Sequence, residues 1–155
     1  MSAALLVPLA DAVTSLLNAN TFSQKFTATR VYDAMRPLET LSALTVDVVI
    51  GDKESDPLDR TRQRETPNID IVVRQVIAAP SGSADEANAI DALIALVESF
   101  DSCITDPANR RPAGAAWAAW QHSKLVMAYS PRKLREQRLF YSVLRVTYLV
   151  VTDST

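Results

Sequence analysis

Cysteine, histidine and glycine are scarce in this chain, and each scarcity closes off a class of chemistry. The lone Cys103 excludes an internal disulfide and fits a protein made in a reducing compartment. The lone His122 excludes multi-histidine metal sites and leaves any Ser-His-Asp triad dependent on one residue. Three glycines stand far apart at positions 51, 82 and 114, so neither type of nucleotide-binding glycine loop is present. Sixteen basic residues against eighteen acidic ones, with a net charge of -2 and a pI near 5.4, give no overall positive field to hold a polyanion or an acidic membrane surface. Long apolar runs are missing as well. The opening MSAALLVPLADAV has no Lys or Arg ahead of it and is interrupted by Asp11 and Asn18, well short of the ~20 residues of a membrane span. Neither a signal peptide nor an anchor is expected.

What the chain does have is 48% apolar residues over 155 positions, enough for one domain, 1–155, with a core that needs no staples. Leu5, Leu9, Val13, Leu16 and Leu17 recur at three- and four-residue spacing and predict a first helix ending near positions 18–20. FTATRVYDAM, 26–35, alternates apolar and polar residues and predicts a strand that Pro37 stops. Two β-branched runs, LTVDVVI at 44–50 and NIDIVVRQVI at 68–77, predict strands two and three. In the third, Ile69, Ile71, Val73 and Ile77 share one face and Asp70, Arg74 and Val76 the other, the pattern of a sheet covered on one side. Ser83 stands three residues before Glu86, a capping-box spacing, and Ile90, Leu93, Ile94 and Val97 follow at helical period. An irregular loop, DPANRRPAGAA, leads to a fourth strand near 120–129, a polar connection SPRKLREQR, and a final strand over 139–151 with Phe140, Leu144, Val146, Tyr148 and Val150 facing the core. The fold class expected is α+β: a mostly antiparallel sheet of about five strands, two helices packed on one face, in the order α-β-β-β-α-β-β.

Catalysis needs a convergent set of groups, and few candidates offer one. His122 is expected as an ordinary polar or interface residue, and Cys103, at the end of an amphipathic helix, as an inert thiol. Asp47 and Asp70 on adjacent strands suggest a carboxylate pair around Mg²⁺, as in a small metal-dependent hydrolase, but no lysine follows Asp70, where Ile71, Val72, Val73 and Arg74 stand instead. Outward acids on a half-solvated sheet face are the simpler account. Trp117 and Trp120 have no basic, aromatic-interleaved groove around them and are expected as packing or subunit-contact residues. No catalytic, metal or cofactor residue is assigned.

The segment 51–67, GDKESDPLDRTRQRETP, holds one large apolar residue, Leu58, and is far longer than a turn between neighbouring strands requires. It is expected as a long charged loop with its signs in blocks: Asp52, Glu54, Asp56 and Asp59 first, with Lys53 among them, then Arg60, Arg62 and Arg64. Such blocks can fold back as a hairpin whose arms attract each other, meet the opposite block of an identical neighbour, or stay solvated. Arg132, Lys133, Arg135 and Arg138 form a second candidate contact segment.

The order of helix, three strands, helix and two strands, with LTVDVVIGD, a long polar excursion, PNIDIVVRQVI, the DALIALVESF helix and a closing LFYSVLRVTYLVV strand, resembles the tail terminator, or tail-completion, proteins of long-tailed bacteriophages. The resemblance covers most of the chain and rests on element order, size and hydrophobic pattern. It implies a structural virion protein of the tail or neck, assembled in the host cytoplasm: a homo-oligomeric ring, usually a hexamer, that caps the tail tube protein and joins it to the head-tail connector, with DNA passing through its lumen without specific binding. It implies no enzyme activity, no cofactor and no membrane partner. A neighbouring connector or head-closure protein of the same particle is the alternative reading, and the metal-dependent hydrolase a further one.

Overall fold

The computed structural model describes residues 4–32 and 41–153. They form an α+β fold of three helices and five strands: α1 (Leu6–Ala19), β1 (Ala28–Val31), β2 (Thr45–Pro57), β3 (Arg62–Val76), α2 (Ala84–Thr105), β4 (Ala118–Met127), α3 (Pro131–Gln137) and β5 (Leu139–Asp153). The strands make one sheet in the order β1-β2-β3-β5-β4. Three of its junctions are antiparallel, as expected; the β1–β2 junction is parallel. Of the strand expected over 26–35, the part observed is Ala28–Val31, and positions 33–35, with the stop at Pro37, lie outside the described residues.

Periodicity explains how the layers meet. Leu9, Val13 and Leu17 lie four apart on α1, so one stripe is buried, and Leu93, Leu96, Val97, Phe100 and Ile104 do the same on α2. Both stripes join one cluster with Val46 and Val48 of β2, Ile69, Ile71 and Val73 of β3, and Leu144, Val146, Tyr148 and Val150 of β5, which fixes the helix side of the sheet. The α2 start follows the predicted cap: the Ser83 hydroxyl accepts the Glu86 N–H at 3.1 Å, and the Glu86 carboxylate reaches back to the Gly82 N–H at 3.3 Å. Asn18 ties the end of α1 to β1 by accepting the Ala28 N–H at 2.7 Å and donating to its carbonyl at 3.0 Å.

Two elements differ from expectation. The segment 51–67 is not a loop: β2 runs on to Pro57 and β3 begins at Arg62, leaving a turn of four residues. The connection SPRKLREQR is a short helix, α3, capped by the Ser130 hydroxyl accepting the Lys133 N–H at 3.3 Å, with Pro131 in its first turn and Arg138 in the left-handed conformation at its end. The described residues thus carry three helices where two were expected.

Strand β2 shifts register between Ile50 and Lys53, and Gly51 sits in that irregularity. A Cβ there would lie 2.8 Å from the backbone carbonyl oxygen of Asn68 on β3, so any side chain pushes the two strands apart. Gly51→Ala is expected to cost about 1–3 kcal/mol in urea unfolding. A loss under about 0.5 kcal/mol, the scale of a neutral surface change, contradicts the close approach.

Candidate assembly surface

The charged segment forms an arm of the sheet. Asp56 stands opposite Arg64 and Ser55 opposite Glu65, and β5 continues alongside, pairing Arg62 with Asp153 and Arg64 with Val151. Every residue from 52 to 64 is exposed, so this three-stranded ribbon extends past the helices with both faces open. Polar residues hold strand conformation here because the register set by the apolar halves of β2, β3 and β5 propagates into them, and because some oppositely charged side chains meet across the strands. Lys53 Nζ meets Glu65 Oε1 at 3.1 Å, Arg64 approaches Asp56 at 3.8 Å, and Arg62 meets Asp59 at 2.6 Å. Of the three arrangements open to the two blocks, the fold-back hairpin is the one observed. Glu54 faces Thr66 across the strands, and Arg60 lies at the exposed tip.

At the tip the Asp59 carboxylate accepts the backbone N–H groups of Thr61 and Arg62, both at 2.8 Å, together with the Thr61 hydroxyl at 3.1 Å and Arg62 Nε at 2.8 Å. These bonds, the Thr61 N–H foremost, hold its pKa down at about 2. A depressed folded pKa means the contribution is present above the ordinary carboxylate range and is lost as pH falls through about 2. In an NMR titration the Asp59 carboxyl is expected to show a midpoint near 2, with the Thr61 and Arg62 amide signals moving in step. A midpoint at the ordinary ~4 contradicts the turn. Asp52 is held below the usual range for a similar reason, accepting from Asn68 Nδ2 at 2.8 Å.

The second candidate group is at the other end of the sheet. Helix α3 leads into the start of β5, whereas the arm pairs with the end of β5. Strand β5 has 15 residues and therefore spans ~50 Å, so the two groups lie far apart on the sheet. On α3, Arg132 is exposed and pairs with Glu136 at 3.3 Å, Lys133 lies 5.0 Å from the centre of the Tyr141 ring, and Arg135 is exposed in the last turn. Arg138 is turned into the fold, where its guanidinium donates to the Ala79 carbonyl and pairs with Glu86, holding the Glu86 carboxyl below its usual range.

The side of the sheet away from α1 and α2 holds what the sequence reading missed. Near the arm it forms an open polar trough of about 470 Å³, lined by Glu54, Asp56, Arg64, His122, Lys124 and Arg145 among others. Across it the acids belong to β2 and most of the bases to β4 and β5. Beyond the trough, β4 exposes Leu125, Val126 and Met127, followed by Tyr129. The available signal was three consecutive apolar residues in HSKLVMAYS, where a half-covered strand would alternate.

The residues weighed for chemistry are dispersed or already engaged. Asp47 and Asp70 were expected as outward acids; Asp47 is instead fully buried in an ion pair with Arg74, and Asp70 accepts from Arg145 at 3.0 Å. His122 is exposed in the trough, and Cys103 lies on α2 across the sheet, its thiol pushed up by burial. Among the described residues, no group of three or more His, Cys, Asp or Glu side chains could hold a metal ion. Trp120 packs against the core and donates to Ser123 Oγ at 2.9 Å, while Trp117 is exposed.

No protein-family model matches the sequence, and no curated protein matches it. Among solved structures, the chain is similar to the sheath/tube terminator of an extracellular contractile injection system, the PVC, in its extended state. The two are 13% identical with a TM-score of 0.48, over 99% of this chain and 60% of that one. This chain therefore spans about three fifths of the length of the terminator it matches.

Proposed function

We propose that this chain is a structural subunit of a phage-type tail, forming a ring at the end of the tail tube that stops tube polymerisation and joins the tail to the head. The observation that carries this reading is the arm: a ribbon exposed on both faces from 52 to 64 gains nothing from the subunit's own core, and is shaped to be covered by another molecule. The resemblance in element order supplies the kind of assembly, and with it a ring of six. The arm with Asp52, Glu54, Asp56, Asp59, Arg60, Arg62 and Arg64 takes one contact, and α3 with Arg132, Lys133 and Arg135 takes another at the far end. The partners are further copies of the chain, the tail tube protein and the head-tail connector, with DNA passing through the lumen unread. The role is structural, without catalysis or cofactor, in the tail or neck of a virion assembled in the host cytoplasm.

Purified tube protein polymerising in vitro tests this reading. Added protein is expected to shorten the tubes, with one ring visible per blocked end. Tubes of unchanged length, with the protein bound to the portal-side connector, favour the neck-protein alternative, which the basic α3 end suits equally.

A further inference from the structure

Among the described residues the sheet has two unlike open edges. Among the described residues β1 pairs with β2 only from Val46 to Val49, so the outer edge of β2 over 50–57 carries no strand, and 52–57 are exposed. On the far side, no described strand covers the outer edge of β4. The β2 edge is acidic, with Asp52, Glu54 and Asp56; the β4 edge is basic and then apolar, with His122 and Lys124 followed by Leu125, Val126 and Met127. Neither Glu54 nor Lys124 has an ion pair among the described residues.

Direction and facing agree with that chemistry. Three antiparallel junctions separate β2 from β4, so the two edge strands run antiparallel to each other. Glu54, Asp56, His122 and Lys124 all lie on the trough side. A second copy placed side by side in the same orientation brings its β2 edge antiparallel to the first copy's β4, with acids and bases meeting on one face. We infer that the chain self-associates by sheet extension, the β4 edge of one copy seated on the exposed β2 edge, 52–57, of the next. Backbone pairing supplies the contact, and the charges choose the partner edge and direction. Every copy has one edge of each kind, so the contact is head-to-tail and repeats until it closes. The inference names the subunit contact of the ring proposed above and rests on that reading.

Two measurements test it. Assembled protein made from an equal mixture of unlabelled and ¹⁵N-labelled chains is treated with a zero-length carbodiimide, which joins a carboxylate to an amine in contact. Mixed-isotope links from Glu54 or Asp56 to Lys124 are expected, with the Lys53–Glu65 pair as the within-chain control. In the second, Lys124→Glu alone and Glu54→Lys with Asp56→Lys alone each raise the concentration needed for half-assembly by about tenfold or more, because like charges then face each other. An equimolar mixture of the two variants assembles again, since every junction is then matched. Absence of the mixed-isotope links, or full assembly of both variants alone at the wild-type concentration, overturns the edge contact and leaves a ring reading standing. A wild-type chain that stays monomeric at every concentration overturns both.

Discussion

Arg74→Ala is expected to destabilise the fold by about 3–5 kcal/mol, the range for breaking a buried ion pair from one side. Arg74 of β3 is 3% exposed and its guanidinium donates to Asp47, which is fully buried on β2. Removing the guanidinium strips that counter-charge from a carboxylate that water cannot reach, so much of what offsets its desolvation is lost. At this chain length 1 kcal/mol corresponds to ~2–4 °C, so thermal unfolding should move down by roughly 6–20 °C. Arg74→Met separates the causes, because it keeps most of the apolar stem and loses only the charge. It should destabilise nearly as much as alanine; if it is close to wild type, the contribution of Arg74 is packing rather than pairing.

The second large effect concerns assembly and leaves the subunit folded. Replacing 53–64 by Asn-Gly, with Glu65 changed to Thr because it loses Lys53 and Ser55, removes exposed residues and the pairs Lys53–Glu65, Asp56–Arg64 and Asp59–Arg62. Exposed pairs contribute ~0–1 kcal/mol each, so unfolding should shift by about 1–2 kcal/mol in total. Self-assembly and capping of tubes should be lost at concentrations where the wild-type chain assembles fully. An unfolded product would show that the arm belongs to the core, and a shortened subunit that still assembles would remove the arm from the subunit contact.

Helix α2 was readable because its signals are local: Ser83 and Glu86 at capping distance, then apolar residues at helical period. The core halves of β2, β3 and β5 were readable because β-branched alternation is a direct imprint of one covered face. The arm reads as a loop because Asp, Glu, Lys and Pro disfavour strands in isolation, and what holds them in strand is register set by pairing of β2 with β3 and of β3 with the sequence-remote β5. Asp47 was correctly placed off the core face, yet that face is closed around Asp47, Val72 and Arg74, a fact of tertiary packing that no local pattern encodes. Of the candidate surface, the charged residues could be picked out by composition; their pairing within the arm, the inward turn of Arg138 and the bare edge of β4 depend on which strands become neighbours.

The central claim is that the chain is a ring-forming structural subunit, and its most direct test is the mass and shape of the native particle. Native mass spectrometry with negative-stain imaging should give one closed species, six times the 17.0 kDa chain by the family resemblance, with a central hole. A 17.0 kDa monomer at every concentration, with tail tubes present or absent, would contradict the account.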